Sequence, residues 1–286
     1  MNAVTTLRFP AGVLGAETAA LTQVIDARWL MAYAAGLGEA DARFYDTLAP
    51  SGPVVHPLFP VCYEWPPLVA LRERVVGDEL APRSVHATHD LVVTRMPRAG
   101  ETVATRARVV AVERRRSGTL LVARLTTATA DGRILTSTDY GSVYRGVEPV
   151  ETGRIAEPLA PAPPPPADPA WETPADLAAG AAHVYTECAR IWNPIHTDVA
   201  VARAAGLPAI ILHGTATLAL AVSRVVAREL GGDAARVRRV RARFTGFVRL
   251  PSTLTVRGRG RAGTDILFDA IGPDGAPVLG EGVLTA

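Results

Sequence analysis

The chain contains no lysine: all 30 of its basic residues are arginines. Set against 28 acidic residues they leave a net charge of +2, too small a surplus for nucleic-acid capture to be the expected role. Cysteine is scarce as well. Cys62 and Cys188 are far apart and form neither a zinc-ligand pattern nor a disulfide framework, which fits a reduced, cytoplasmic protein. The opening residues MNAVTTLRFPAGVLG lack a basic start followed by a sustained apolar run, so no signal peptide is expected. One stretch, Ala204–Ser223, is free of Asp, Glu and Arg and has the length of a bilayer span. It is interrupted by Gly206, Pro208, His213, Gly214, Thr215 and Thr217, and Arg224 follows directly. A loop leading into a buried helix is the expected reading, and no membrane partner is expected.

Hydrophobic residues make up 48% and charged residues 20% of the 286 residues, enough to bury the core of one large domain or two ordinary ones. The clearest boundary is the proline-rich stretch Glu157–Pro174, with Pro163–Pro166 consecutive, which excludes both helix and central strand. It divides the chain into an N-terminal unit (1–150), a linker (151–174) and a C-terminal unit (175–286). Strand-like runs cover Ser84–Met96, Glu101–Glu113, Thr119–Ala130 and Ile134–Tyr144 in the first unit, and Val237–Val248, Thr253–Arg259, Asp265–Ile271 and Val278–Thr285 in the second. Turns rich in Pro, Gly and Asp separate them. An apolar helical stretch precedes each group, Cys62–Val75 in the first unit and Thr215–Leu230 in the second, the latter stopped by Gly231-Gly232. Pro66 and Pro67 allow the first helix to start as late as Pro67. A helix followed by an antiparallel meander, twice, predicts an α+β fold in which curved sheets wrap buried helices. A double hotdog has that arrangement, and another α+β fold shares its periodicity.

Two segments carry the chemistry: YTECARIWNPIHTD at Tyr185–Asp198 and AIILHGTATLA at Ala209–Ala219. Asn193-Pro194-Ile195-His196 with Asp198, and His213-Gly214 opening an apolar helix, resemble the two signature elements of the MaoC-like dehydratases and (R)-specific enoyl-CoA hydratases. The resemblance is carried by Ala181–Ala286. It implies that residues 1–150 are a degenerate, non-catalytic hotdog shaping the acyl pocket and leaving room for a bulky acyl group. It also implies a coenzyme A or carrier-protein thioester as partner and allows a homodimer beyond the fused pair; nothing in the sequence requires a metal or a redox cofactor. Adding water to an enoyl thioester needs a base for the water, an acid for the α-carbon and donors for the enolate oxygen. By resemblance His196 is the catalytic imidazole and the Gly214 N–H the oxyanion donor, while Asn193 and Pro194 hold the loop. Tyr185, Ile191, Trp192, Pro194 and His213 are the expected pocket residues.

One position departs from that pattern, since the family's Asp, five residues before the His, is here Ile191. Three readings follow. Glu187, four residues earlier and on the same face of a helix, supplies the carboxylate; or His196 acts alone or with Tyr185 in an elimination or isomerisation; or the fold only binds an acyl group. His56, His86, His89 and His183 have no motif around them and are expected to be structural or exposed. His86 and His89, three apart on a strand, should face opposite ways. Asp198 is expected to fix its loop, Cys188 to be a packed residue, and the arginines of Val237–Phe244 to alternate along a half-exposed strand.

Overall fold

The computed structural model describes residues 7–157 and 160–286. In chain order, the first half contains β1 (Arg8–Phe9), β2 (Leu21–Val24), α1 (Ala27–Gly36), α2 (Pro60–Val75), β3 (Ser84–Val93), β4 (Thr102–Arg115), β5 (Gly118–Thr129), β6 (Ile134–Arg145), β7 (Glu148–Pro149) and β8 (Gly153–Arg154). The second contains β9 (Trp171–Leu177), α3 (Ala181–Ala189), α4 (Val199–Ala204), α5 (Gly214–Glu229), β10 (Arg239–Phe244), β11 (Ser252–Ala262), β12 (Asp265–Ile271) and β13 (Pro277–Thr285). The main sheet runs β2-β4-β5-β6-β3-β10-β13-β12-β11-β9, with β8 paired to β4. Read from either end, the strands come in the same relative order. Each half thus repeats one plan of edge strand, short helix, long helix and four-stranded meander, and the halves join through the antiparallel pair β3–β10.

That seam explains the arginine-rich run. Arg239 Nε and Nη2 donate to the two oxygens of the buried Asp90 carboxylate at 2.7 and 2.8 Å, a two-pronged fit that fixes register across the halves. Arg243 pairs with Glu281 at 3.2 Å. The short helices α1 and α3 pack on each other between the halves. They approach so closely that a Cβ on Gly36 would stand 2.8 Å from Cys188 Cβ, which makes Cys188 the packed residue the sequence suggested.

The long helix α2 begins at Pro60 and continues through Pro66 and Pro67. Pro67 has no N–H for the Tyr63 carbonyl; the side-chain amide of Gln23, on β2, donates to that carbonyl instead at 2.7 Å. The linker is shorter than the sequence indicated. Its first residues form β8 against β4, and β9 begins at Trp171 because the alternating run WETPADL forms an edge strand beside β11. An edge tolerates Pro174, and the Trp171 ring lies over Gly258, where a Cβ would fall 2.2 Å from it. Between these strands the proline-rich chain is tied down by Arg259, whose guanidinium donates to the carbonyls of Pro166 and Ala167.

Ala204–Ser223 divides into the end of α4, a loop and the start of α5. Among the described residues no helix is long and apolar enough to cross a membrane.

Candidate active site

The α3 helix ends at Ala189, and Arg190 adopts a left-handed conformation (φ 58°). Such a conformation is costly for a non-glycine residue. The Arg190 guanidinium is held 4.2 Å above the Trp29 ring and 3.5 Å from Asp26, which offsets part of that cost. The reversal turns Ile191 inward, where it is buried. It also ends the helical phase, so Glu187 and Ile191 do not share a face. Glu187 is exposed and lies outside the cavity, and its expected place in the site is withdrawn.

Pro194–His196 form one 3-10 turn, in which the His196 N–H donates to Asn193 O at 3.1 Å. Asp198 then caps α4, accepting from the N–H groups of Ala200 and Val201 at 2.7 and 3.2 Å, the loop-fixing role expected of it. His196 Nδ1–H donates to the Ile211 carbonyl at 2.9 Å. Because a carbonyl can only accept, this bond fixes the tautomer and leaves Nε2 with its lone pair. Burial pushes the His196 pKa down to about 4, so the ring is neutral near pH 7. It stacks on His213 with ring centroids 3.7 Å apart. His213 is held neutral first by burial and then by the neighbouring His196, and its Nε2 lies 3.2 Å from Thr186 Oγ1.

Gly214 opens α5, whose first N–H groups have no carbonyl of their own helix to bond. A Cβ there would stand 3.2 Å from Phe244 Cε1 and 3.7 Å from His86 Nδ1. Gly214→Ala is therefore expected to crowd Phe244 and narrow the cavity, costing about 1 kcal/mol of stability; thermal melting read beside turnover checks whether activity falls further than stability does.

Ile191, Asn193, His196, His213 and Gly214 line one cavity of about 50 Å³. Trp192 is 61% exposed and Pro194 is exposed; neither lines it. Tyr185 stands behind the wall, donating to Thr215 Oγ1 at 3.1 Å, so it steadies the first turn of α5 and does not touch the cavity.

The first half supplies the rest of the lining, which the sequence reading missed. Val61, Glu64, Trp65 and Leu68 come from one face of α2, with His86, His89 and Tyr140 from the sheet. His86 and His89 share a side, contrary to expectation, because the β3–β6 register shifts between His86 and Thr88. A bulge of this kind inverts the alternation, and Gly141 makes room for it, since a Cβ there would lie 2.1 Å from Thr88 Oγ1. The two rings are 5.6 Å apart, and His86 stacks on Tyr140 at 3.7 Å. Both are held neutral mainly by burial, His89 down to about 4. Among the described residues no group of three or more His, Cys, Asp or Glu is arranged to hold a metal. A second groove of about 210 Å³ lies outside, between Trp65, Arg72 and Trp192; it shares Trp65 and Asn193 with the cavity.

The corresponding loop of the first half is chemically closed. His56 Nδ1 accepts the Leu58 N–H at 3.1 Å, so its proton is on Nε2, 3.1 Å from Ser223 Oγ, and Ser223 donates in turn to Glu39. Every proton in that chain is already committed.

Residues 167–266 match the family model of the MaoC like domain, and residues 12–137 that of the FAS1-like dehydratase domain region. The chain is 41% identical over 64 residues to the fatty acid synthase beta subunit pkiC of Emericella nidulans, a segment covering 22% of this chain and 3% of that protein. It is 42% identical over 64 residues to the enoyl-CoA hydratase ChsH3 of Mycobacterium tuberculosis, covering 22% of each. It thus spans only a small part of these relatives' length. Among solved structures, a MaoC-like dehydratase from Phytophthora capsici superposes with a TM-score of 0.82 at 22% identity, over 96% of this chain and 95% of that one. A double-hotdog protein from Mycobacterium tuberculosis superposes with 0.62 at 19%, over 95% of each. Residues 167–266 are a MaoC-like domain, and the chain has the double-hotdog fold.

Proposed function

We propose that the protein is a hydro-lyase that interconverts a 2-enoyl and a 3-hydroxyacyl thioester. One observation carries the reading: the Ile211 carbonyl takes the Nδ1 proton and leaves Nε2 of His196 with its lone pair, and His196 lines the same cavity as Gly214 at the start of α5. A neutral imidazole suits removal of a proton from water. The N–H groups and dipole at a helix start suit the negative oxygen of a thioester enolate, and a glycine lets the thioester come close. The groove between Trp65 and Trp192 that adjoins the cavity is the route for the carrier arm, coenzyme A or carrier protein alike. Residues 1–150 carry no second copy of the His196 site, a reading that the closed His56–Ser223–Glu39 chain supports.

The space argues against a bulky acyl group. A cavity of about 50 Å³ bounded by Trp65, His86 and Tyr140 fits a short acyl chain. The enoyl absorbance of crotonyl-CoA should fall on adding the protein, and faster than that of a long-chain 2-enoyl-CoA. Persistence of both bands, together with no dehydration of 3-hydroxybutyryl-CoA, would reject the lyase reading in favour of acyl binding without turnover.

A further inference from the structure

We propose that Glu64, carried by the N-terminal half, is the proton carrier at the α-carbon, serving in place of the carboxylate that the Asn193–His196 loop lacks. This rests on the lyase reading above. Glu64 stands on the α2 face that also presents Val61, Trp65 and Leu68 to the cavity, at the 3- and 4-residue spacing of one helix side. It is 3% exposed. Its Oε1 accepts the Thr138 hydroxyl at 2.7 Å, and no cation is among the groups that act on its carboxyl. An unpaired carboxyl on an otherwise apolar helix face is costly, and packing alone would favour a leucine there. The same cavity holds His196 and the start of α5, so one small space joins an acid, a base and an oxyanion site.

The titratable groups that share the cavity with Glu64 are His86 and His89 from β3, Tyr140 from β6, His196 from the loop and His213 before α5, and Cys62 and Tyr63 of α2 are its charged-state neighbours. The four histidines are neutral near pH 7. Burial accordingly dominates and lifts the Glu64 pKa to about 8, with the Thr138 hydrogen bond opposing. The carboxyl keeps its proton at neutral pH and is ready to give it.

In hydration, the water oxygen bonds to the β-carbon while His196 Nε2 takes one water proton. The double-bond electrons move onto the thioester oxygen at the Gly214 N–H. They return as the Glu64 O–H bond breaks and its proton bonds to the α-carbon. The proton on His196 then passes through water to the Glu64 carboxylate, restoring both groups, and the net change is one added water. Dehydration is the reverse, with Glu64 as the base.

The test is hydration of crotonyl-CoA by wild type, Glu64→Gln, Glu64→Asp and His196→Asn, with kcat, KM, the pH profile of kcat and the melting temperature recorded. Wild-type hydration should decline as pH rises through about 8. Glu64→Gln keeps the shape and the acceptor for Thr138; it should lose about 100-fold or more in kcat, change KM by no more than about threefold, and abolish that alkaline limb. Glu64→Asp keeps an acid on a shorter arm and should lose less. If Glu64→Gln turns over like wild type while His196→Asn is inactive, Glu64 is not the proton carrier and the lyase reading survives. Losses that follow lowered melting temperatures in both variants, with the alkaline limb of Glu64→Gln unmoved, overturn the proposal too. A wild type that converts no enoyl or 3-hydroxyacyl thioester removes both readings.

Discussion

Between pH 5.5 and 4 the protein is expected to lose its fold steeply and cooperatively. Five imidazoles are enclosed and held neutral chiefly by burial: His56, down to about 3, His86, His89, His196 and His213. In the unfolded chain each titrates near 6.5, so on acidification the unfolded state gains protons that the native state refuses. Stability then falls as pH falls, by roughly 1.4 kcal/mol per pH unit for each ring once the unfolded histidines are charged. Five rings give roughly 7 kcal/mol per unit. Glu64 has the opposite sign: its raised pKa favours the fold as pH falls from about 8 towards its ordinary value, removing at most roughly 1.4 kcal/mol per unit. The remaining slope of about 6 kcal/mol per unit would exhaust the 5–15 kcal/mol typical of a domain within about one to three units. Circular dichroism against pH is the measurement; native ellipticity persisting at pH 3.5 would show that these rings accept protons in place.

His196→Asn should nearly abolish turnover while sparing the fold. The asparagine amide lies where Nδ1–H lies and keeps the donation to Ile211 O, so the carbonyl is not left unpaired. What disappears is the lone pair of Nε2. Loss of a positioned general base lowers kcat by about 10²- to 10⁴-fold, here towards the upper end, because Ile191, buried in the same wall, has no group to take over. His196→Ala removes the Ile211 bond as well, and its melting temperature should fall further. Equal turnover by wild type and His196→Asn would place the chemistry elsewhere.

Most of the sheet was legible because strand residues alternate and the turns between them contain Gly, Pro and Asp. The expected Asp265–Ile271 is β12 as observed, and α5 starts one residue before its expected position. The short elements α1, β9 and α3 gave weak patterns, being too brief for periodicity to separate from loop. The site was half legible. Asn193, His196 and Gly214 lie within a local motif, and the structure brings them to one cavity. Glu187 failed because helical phase was extended past Arg190, where the backbone turns left-handed. His86 and His89 failed because a bulge depends on the partner strand, and Gly141 alone hinted at it. Glu64 had a local signal, one carboxylate in the apolar run VCYEWPPL, but its partners lie in the sheet and in the other half of the chain.

The β3–β10 seam has a consequence for how the chain holds together. Sheet pairing, the Arg239–Asp90 fork and the α1–α3 contact all bind half to half, without help from the proline-rich connection. That segment therefore acts as a tether, raising the effective concentration of one half at the other during assembly. It does not serve as a strut. Cut within it, the chain should behave as a heterodimer of complementing fragments, with a divided active site that exists only when both are present.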